Sequence, residues 1–95
     1  MVRRDLDYGV AAAQLIHAAG ESAFNPVQPG TYAVALSASA DQLARLVLKL
    51  KAEGVRHACV YEPDAPFNGA LLAVGIEPRA KSEVRRYVAS LPLIR

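Results

Sequence analysis

The chain has 95 residues, 53% of them hydrophobic and 21% charged, with a formal net charge of +2. This length predicts a single domain over residues 1–95, and the small net charge excludes a strongly basic nucleic-acid-binding protein. The only cysteine, Cys59, excludes an internal disulfide and a cysteine metal cluster. Because no apolar run reaches the roughly 18 residues of a membrane helix, we expect a cytoplasmic protein without a membrane partner.

The first third of the chain predicts a strand, a helix and a second strand. A short strand is predicted over 1–6, and Asp7 is placed to cap the next helix through its carboxylate. That helix is predicted over about 9–23, because alanines dominate it and favour helical backbone. Two prolines and a glycine in 25–30 end it. The apolar run 31–36 is typical of a buried strand.

The second predicted helix has the clearest pattern in the chain. Ser39 followed by Gln42 has the spacing of a capping box, and Gly54 is placed to end the helix. Apolar residues follow at i, i+3, i+4 and i+7, which predicts a buried stripe of Leu43, Leu46, Val47 and Leu50.

The second half of the chain predicts two strands and a closing helix. The strands are predicted over 55–61 and 70–76, and the helix over about 81–90. The loop 62–69 between the strands is too short for a parallel crossover, so they should run antiparallel. The element order β-α-β-α-β-β-α predicts an α/β fold with helices against a sheet.

Basic residues are concentrated near the end of the sequence. Residues 79–95 contain five basic residues and one acidic residue, a net +4, whereas residues 1–78 contain six basic and eight acidic residues, a net −2. Such a basic region contacts phosphates or is simply a solvated helix face. No aromatic side chains alternate with these charges in a base-reading pattern, so we expect any RNA contact to be with the backbone. The side chains assigned to it are Arg79, Lys81, Arg85 and Arg86.

Gln14 and His17 are the first candidate site residues. They are the polar side chains that interrupt the first predicted helix before Gly20, and their spacing of three predicts that they point the same way. One interpretation has His17 as a base or hydrogen-bond donor, with Gln14 orienting a substrate carbonyl or water. The other interpretation is that both bind nearby backbone groups under the sheet.

Three carboxylates form the remaining candidates. Glu62 and Asp64 lie in the loop after the third strand, where they either activate water or form an ordinary acidic turn. Asp5 follows the first strand, at the end where open α/β sheets bind ligands, or it pairs locally with Arg4. We expect no metal and no cofactor, because no spacing typical of a closed metal site occurs.

These residues, taken in order, resemble the type II peptidyl-tRNA hydrolases of archaea and eukaryotes. The resemblance covers essentially the whole chain and depends on the order of short motifs. The first half contributes Arg4-Asp5-Leu6, Gly9, Ala12-Ala13-Gln14 and His17-Ala18. The second half contributes Gly54-Val55-Arg56-His57, a loop beginning at Glu62, Leu72-Ala73-Val74-Gly75, Pro78 and Leu91-Pro92-Leu93-Ile94. The resemblance implies a three-layer α/β/α fold with a four-stranded mixed sheet, one strand antiparallel.

The chain also departs from the family pattern at the expected active site. The lysine- and glycine-rich turn of the family is shortened here to Asp7-Tyr8-Gly9-Val10, which contains no lysine. Glu62-Pro63-Asp64 replaces the family's Asp-Ala-Gly and the threonine after it, and Thr31 is the only threonine of the chain.

The resemblance therefore implies two alternative functions. In the first, Asp5, Gln14, His17 and Glu62 or Asp64 surround the ester bond of peptidyl-tRNA, a carboxylate activates water, and His17 assists. In the second, the chain is a catalytically inactive relative that binds RNA, a small molecule or a protein. The resemblance implies tRNA, and not DNA, as the nucleic-acid partner if there is one, and the small size together with the family implies a homodimer.

Overall fold

A computed structural model of the protein describes residues 1–94 and contains four strands and three helices. The elements are β1 (Val2–Arg3), α1 (Tyr8–Ser22), β2 (Ser37–Ala38), α2 (Ala40–Ala52), β3 (His57–Glu62), β4 (Ala70–Ile76) and α3 (Lys81–Val88). The strands form one open sheet in the order β2-β1-β4-β3. β1 and β2 pair in parallel, whereas β4 is antiparallel to both β1 and β3. The predicted element order and the antiparallel pairing of the last two strands are confirmed.

Neighbouring residues of β4 belong to two different hydrophobic cores. Ala73 packs in a cluster with Ala11 and Ala18 of α1, while Val74 packs with the apolar stripe of α2. Successive side chains of a strand point to opposite faces of its sheet. α1 and α2 therefore cover opposite faces of the sheet.

The second helix forms as the sequence predicts. Ser39 Oγ accepts a hydrogen bond from the Gln42 backbone N–H at 3.1 Å, and Gln42 Oε1 accepts one from the Ser39 N–H at 2.8 Å. Gly54 adopts φ of 68° just after the helix, a conformation that favours glycine. The predicted stripe Leu43, Leu46, Val47 and Leu50 is buried.

The second strand is shorter and later than its sequence pattern predicts. The run 31–36 has the composition of a buried strand, but β2 covers only Ser37–Ala38, and Tyr32 and Val34 are 94% and 64% exposed. The reason is the length of β1, because Val2 pairs with Ser37 and Arg3 with Ala38. An apolar sequence favours burial, but a strand also needs a partner to pair with along its length.

The end of the described chain returns to the sheet beside β2. The Ser37 N–H donates to the Pro92 carbonyl at 2.9 Å, and the Ile94 N–H donates to the Ala35 carbonyl at 3.0 Å. Leu93 and Leu36 form an antiparallel bridge between these bonds. Residues 92–94 therefore cover the outer edge of β2.

β1 covers only Val2–Arg3 of the predicted strand 1–6, and the remaining boundaries shift slightly or hold. β4 has the predicted bounds, β3 lies over His57–Glu62 rather than 55–61, and α3 ends at Val88 rather than near 90. Asp7 occupies the N-cap position of α1, but its carboxylate makes no capping hydrogen bond, so that detail of the prediction is wrong. None of the described helices is both long and apolar enough to cross a membrane.

Candidate functional site

Asp5 follows β1 and Glu62 ends β3, at the same edge of the sheet. Glu62 ends β3 opposite Ala70, the first residue of β4, while Val2 of β1 lies opposite Ala73. The three residues from Val2 to Asp5 lead toward the start of β4, so both carboxylates lie at the edge where β1 and β3 end. This is the edge at which ligands of open α/β sheets bind.

Asp5 is an exposed carboxylate that is held by an arginine. Arg3 Nε donates to Asp5 Oδ1 at 2.9 Å, and a second Arg3 nitrogen lies 2.5 Å from Oδ2. This hydrogen-bonded guanidinium holds the pKa of Asp5 below its usual value and raises the pKa of Arg3. The partner is thus Arg3 rather than the predicted Arg4, whose guanidinium donates to Gln42 Oε1 at 2.6 Å. A paired carboxylate with a lowered pKa is a weak base at neutral pH.

The Glu62–Asp64 segment forms a local turn. Glu62 is half-buried, and its Oε1 accepts a hydrogen bond from the Asp64 N–H at 3.1 Å. The Asp64 carbonyl accepts from the N–H groups of Phe67 and Asn68, both at 3.0 Å. The Asp64 carboxylate is exposed and makes no side-chain hydrogen bond among the described residues. These contacts order the loop, and they leave both carboxylates with free oxygens.

Gln14 is buried against the sheet. It is only 8% exposed and continues the buried stripe of α1 between Ala11 and Ala18. Its Oε1 is buried and has no hydrogen-bond partner within residues 1–94. The interpretation that Gln14 binds a backbone group under the sheet is therefore wrong for this oxygen.

His17 lies in different surroundings from Gln14. Its side chain is exposed and makes no hydrogen bond in the described part of the chain. It lies nine residues after Tyr8, the start of α1, which is about 14 Å along the helix at 1.5 Å per residue. Gln14 and His17 thus lie three residues apart on one helix but in different environments, because the buried stripe of α1 includes Gln14 and leaves His17 exposed.

The five candidate residues lie outside two clefts of the molecule. One cleft of ≈ 280 Å³ lies beside the start of α1 and is lined by Arg3, Tyr8 and Ile94, among others. A second, of ≈ 370 Å³, is lined by Phe24, Arg56 and neighbouring residues. Neither is lined by Asp5, Gln14, His17, Glu62 or Asp64. The structure therefore places Asp5 and Glu62 at one edge and separates His17 from them.

The four predicted RNA-contacting side chains fall into two pairs. Arg79 lies 3.7 Å from a Glu77 oxygen and 3.4 Å from a Glu83 oxygen, and Arg86 lies 2.6 Å from Glu53 Oε1. Lys81 and Arg85 are exposed and have no ion-pair partner within 4.0 Å among the described residues. The charges of Arg79 and Arg86 are thus partly neutralised by neighbouring carboxylates, whereas Lys81 and Arg85 are available to phosphates.

A contact between α2 and α3 was missed by sequence reasoning. Lys49 Nζ lies 5.4 Å from the centre of the Tyr87 ring, and the Arg86 guanidinium lies 5.1 Å from the same ring. The Tyr87 hydroxyl donates to Glu53 Oε1 at 2.9 Å, so the same oxygen accepts from both Tyr87 and Arg86. The helical spacing of Arg45 and Lys49 would have identified the basic side of α2, but nothing in the sequence indicates that α3 packs beside it.

Comparison with known proteins leaves the family open. The chain matches no profile of a known protein family, and a search among curated proteins found no similar sequence. Within residues 1–94, no group of three or more histidine, cysteine or acidic residues is placed to hold a metal ion. The geometry of the two helices and of the sheet edge is therefore the basis for a functional conclusion.

Proposed function

We propose that this chain is a divergent relative of the type II peptidyl-tRNA hydrolases that binds the RNA backbone through α2 and α3. The proposal rests on one observation, the approach of Lys49 and Arg86 to the single ring of Tyr87 from two helices. This contact brings Lys49 of α2 close to Arg86 of α3, and the other exposed basic side chains of the two helices extend the proposed surface. We call this surface the basic face and define it by Arg45, Lys49, Lys81, Arg85 and Arg86.

The distribution of charge also supports this assignment. Residues 40–54 and 79–90 together contain seven basic and three acidic residues, a net +4, in a chain whose total is +2. Lys49, Lys81 and Arg85 are exposed and have no carboxylate within 4.0 Å among residues 1–94. Exposed lysine and arginine that displace counterions from phosphates bind RNA without reading its sequence.

Tyr87 supports backbone binding rather than base stacking. Its ring is half-buried between α2 and α3, and its hydroxyl is bonded to Glu53. A ring flanked by two cations and held at its hydroxyl is not free to receive a base. The expected ligand is therefore a structured RNA with closely spaced phosphates, such as tRNA.

Fluorescence anisotropy with labelled tRNA tests the proposal. The double variant Lys49→Glu with Arg85→Glu should weaken binding at least tenfold at low salt, because two phosphate contacts are lost. The slope of the logarithm of the binding constant against the logarithm of the salt concentration should also become shallower, by about 0.7–0.9 for each lost contact. Lys51→Glu is the charge-matched control for Lys49→Glu alone, because Lys51 lies on the same helix but lines the cleft with Phe24 and Arg56. Equal binding by the double variant and the control would contradict the proposal, as would no binding by the unchanged chain.

The sheet edge supports hydrolysis as a second candidate. Asp5 and Glu62 lie where β1 and β3 end, and a half-buried Glu62 is the better base of the two because Asp5 is paired with Arg3. We propose that, if the chain is an enzyme, Glu62 activates water against the ester, with Asp64 beside it. Release of the peptide from N-blocked aminoacyl-tRNA measures this activity.

Variants separate the two candidates. Glu62→Gln should lower the rate by about 10²–10⁴ if Glu62 is a general base, whereas His17→Ala should change it little, because His17 is exposed and about 14 Å along α1 from its start. A chain that binds tRNA but releases no peptide above the buffer rate would leave RNA binding alone as the function.

A further inference from the structure

The backbone of β3 has one edge that is open. Val74 exchanges hydrogen bonds with Met1, at 2.8 Å and 2.6 Å, so its N–H and C=O point away from β3. Cys59 lies opposite Val74 and therefore directs its own N–H and C=O outward, away from β4. Backbone direction alternates along a strand, so His57 and Tyr61 also point outward.

Two further bonds confirm this alternation at the ends of the strand. The Glu77 N–H donates to the Arg56 carbonyl at 3.2 Å, and the Gly69 N–H donates to the Glu62 carbonyl at 2.7 Å. Even-numbered residues thus face β4, and odd-numbered residues face outward. Outside the strand ladders, no backbone group of residues 1–94 bonds to His57, Cys59 or Tyr61.

The open edge lacks the usual protection against pairing. Between its ends, β3 consists of the uncharged residues 58–61 and contains no proline, lysine or arginine. The register shift in the β3–β4 ladder lies on β4, where Leu72 is the extra residue, so β3 itself is regular. Edge strands that do not pair are commonly interrupted by such residues or by a bulge.

We propose that β3 pairs antiparallel with β3 of a second copy of this chain, about a two-fold axis at Cys59. In such a symmetric antiparallel pair, the number of each residue and the number of the residue opposite it add up to the same value along the whole strand. The outward-facing backbone groups belong to odd-numbered residues, so hydrogen bonds form between the copies only where an odd residue lies opposite an odd residue. Centring on Cys59 gives three bonded pairs within β3: Cys59 with its counterpart, and His57 with Tyr61 of the partner subunit in both directions. The next possible register in either direction, in which the paired numbers add up to two more or two fewer, keeps only two such bonded pairs within the strand.

Charge favours the same register. With the axis at Cys59, Arg56 lies directly opposite Glu62 of the partner subunit, and the reciprocal pair forms by symmetry. Opposed residues in a non-hydrogen-bonded pair have their side chains closest together. Arg56 is exposed, with its guanidinium 4.0 Å from the centre of the Phe24 ring and its Nε 4.0 Å from Glu77 Oε2, the outer limit of an ion pair. Glu62 Oε1 accepts only from the Asp64 N–H. Pro63, which has no N–H to donate, ends the pairing beyond Glu62.

Sedimentation equilibrium with charge-swap variants tests this interface. Arg56→Glu places like charges opposite each other twice, as does Glu62→Arg, so each should raise the dimer dissociation constant at least tenfold. The double variant with both changes restores opposite charges and should return the constant to near that of the unchanged chain. Asp41→Arg, a charge change equal in size to that of Glu62→Arg but at the exposed start of α2, should have no effect.

Cys59 gives an independent measurement of the register. Hydrogen-bonded antiparallel pairs have Cα atoms about 5.5 Å apart, within the range that a disulfide spans. Mild oxidation should therefore yield a covalent dimer from the unchanged chain and from the double charge swap, and much less from Arg56→Glu. A chain that stays monomeric at high micromolar concentration would overturn the proposal. The proposal would also be overturned by a dimer whose dissociation constant is unchanged by Arg56→Glu and which forms no Cys59 disulfide on oxidation.

Discussion

Gly75 of β4 lies directly against the backbone of Ala18 in α1. A Cβ atom at Gly75 would lie 2.3 Å from the Ala18 carbonyl oxygen and 2.6 Å from Ser22 Oγ. No side chain fits in this space, so the missing Cβ sets how closely α1 approaches the sheet. The alanine stripe of α1 has the same effect from the helix side, because small side chains allow a close approach.

Gly75→Ala should therefore destabilise the fold. The new methyl group meets backbone atoms that move only with the whole helix, and overpacking of this kind costs about 1–3 kcal/mol or more. Urea unfolding followed by circular dichroism measures the change. Gly20→Ala is the matched control, because its new methyl group would meet no atom within 4 Å beyond its own stretch of helix, and alanine favours helix by about 0.5–1 kcal/mol. A loss of stability in both variants would contradict this account.

Ser39→Ala should destabilise α2 by about 1 kcal/mol. The hydroxyl accepts the Gln42 N–H at 3.1 Å, and its removal leaves that donor without its partner. Thermal unfolding of the variant measures this cost. Ser82→Ala in α3 is an exposed control and should change the free energy of unfolding by less than about 0.5 kcal/mol. Equal shifts in the two variants would show that the capping bond adds nothing.

Gln14→Met should leave stability unchanged or raise it by up to about 1 kcal/mol. Gln14 Oε1 is buried without a partner among residues 1–94, so an apolar side chain of similar length removes a cost rather than a bond. Chemical denaturation gives the sign of the change. A clear loss of stability would mean that this amide is bound to a group or water that holds it. If the variant also retains tRNA binding, Gln14 supports the fold rather than the function.

The Arg3–Asp5 pair should make a small contribution to stability that depends on pH. The pKa of Asp5 is lowered by Arg3, so the pair stabilises the fold above the ordinary aspartate pKa of about 4. That contribution is lost as the pH falls through the lowered pKa. Asp5 is 59% exposed in its side chain, which limits the contribution to about 0–1 kcal/mol.

An NMR titration of the Asp5 carboxyl carbon tests this pairing directly. Arg3→Gln should raise the pKa of Asp5 toward its usual value, because the hydrogen-bonded guanidinium is gone. Arg4→Gln should leave the pKa of Asp5 unchanged, since the Arg4 guanidinium donates to Gln42 rather than to Asp5. If the pKa of Asp5 rises in the Arg4 variant and stays the same in the Arg3 variant, Asp5 is not paired with Arg3 in solution.

The sequence predicted best where local pattern and tertiary contact agree. The capping box and apolar stripe of α2 are local features, and β4 is a buried strand paired along most of its length, so both were located accurately. The run 31–36 had the pattern of a strand, but its pairing is limited by β1, which is distant in sequence. Edge strands are hard to locate for this reason.

The candidate site was less predictable than the fold. Spacing placed Gln14 and His17 near each other, but the direction of the α1 stripe decides that one is buried and the other exposed. Glu53 and Tyr87 are 34 residues apart and meet only because α3 packs beside α2. Spacing within an element cannot report how elements are placed against one another.

The cover that residues 92–94 form over β2 has a consequence for assembly. Because the Pro92 carbonyl and the Ile94 N–H bind the outer N–H of Ser37 and the outer carbonyl of Ala35, residues 92–94 cover the β2 side of the sheet in the described chain. A sheet with two open edges adds molecules without limit and grows into a fibre. With the β2 side covered in this way, we expect the proposed association through β3 to end at a closed pair.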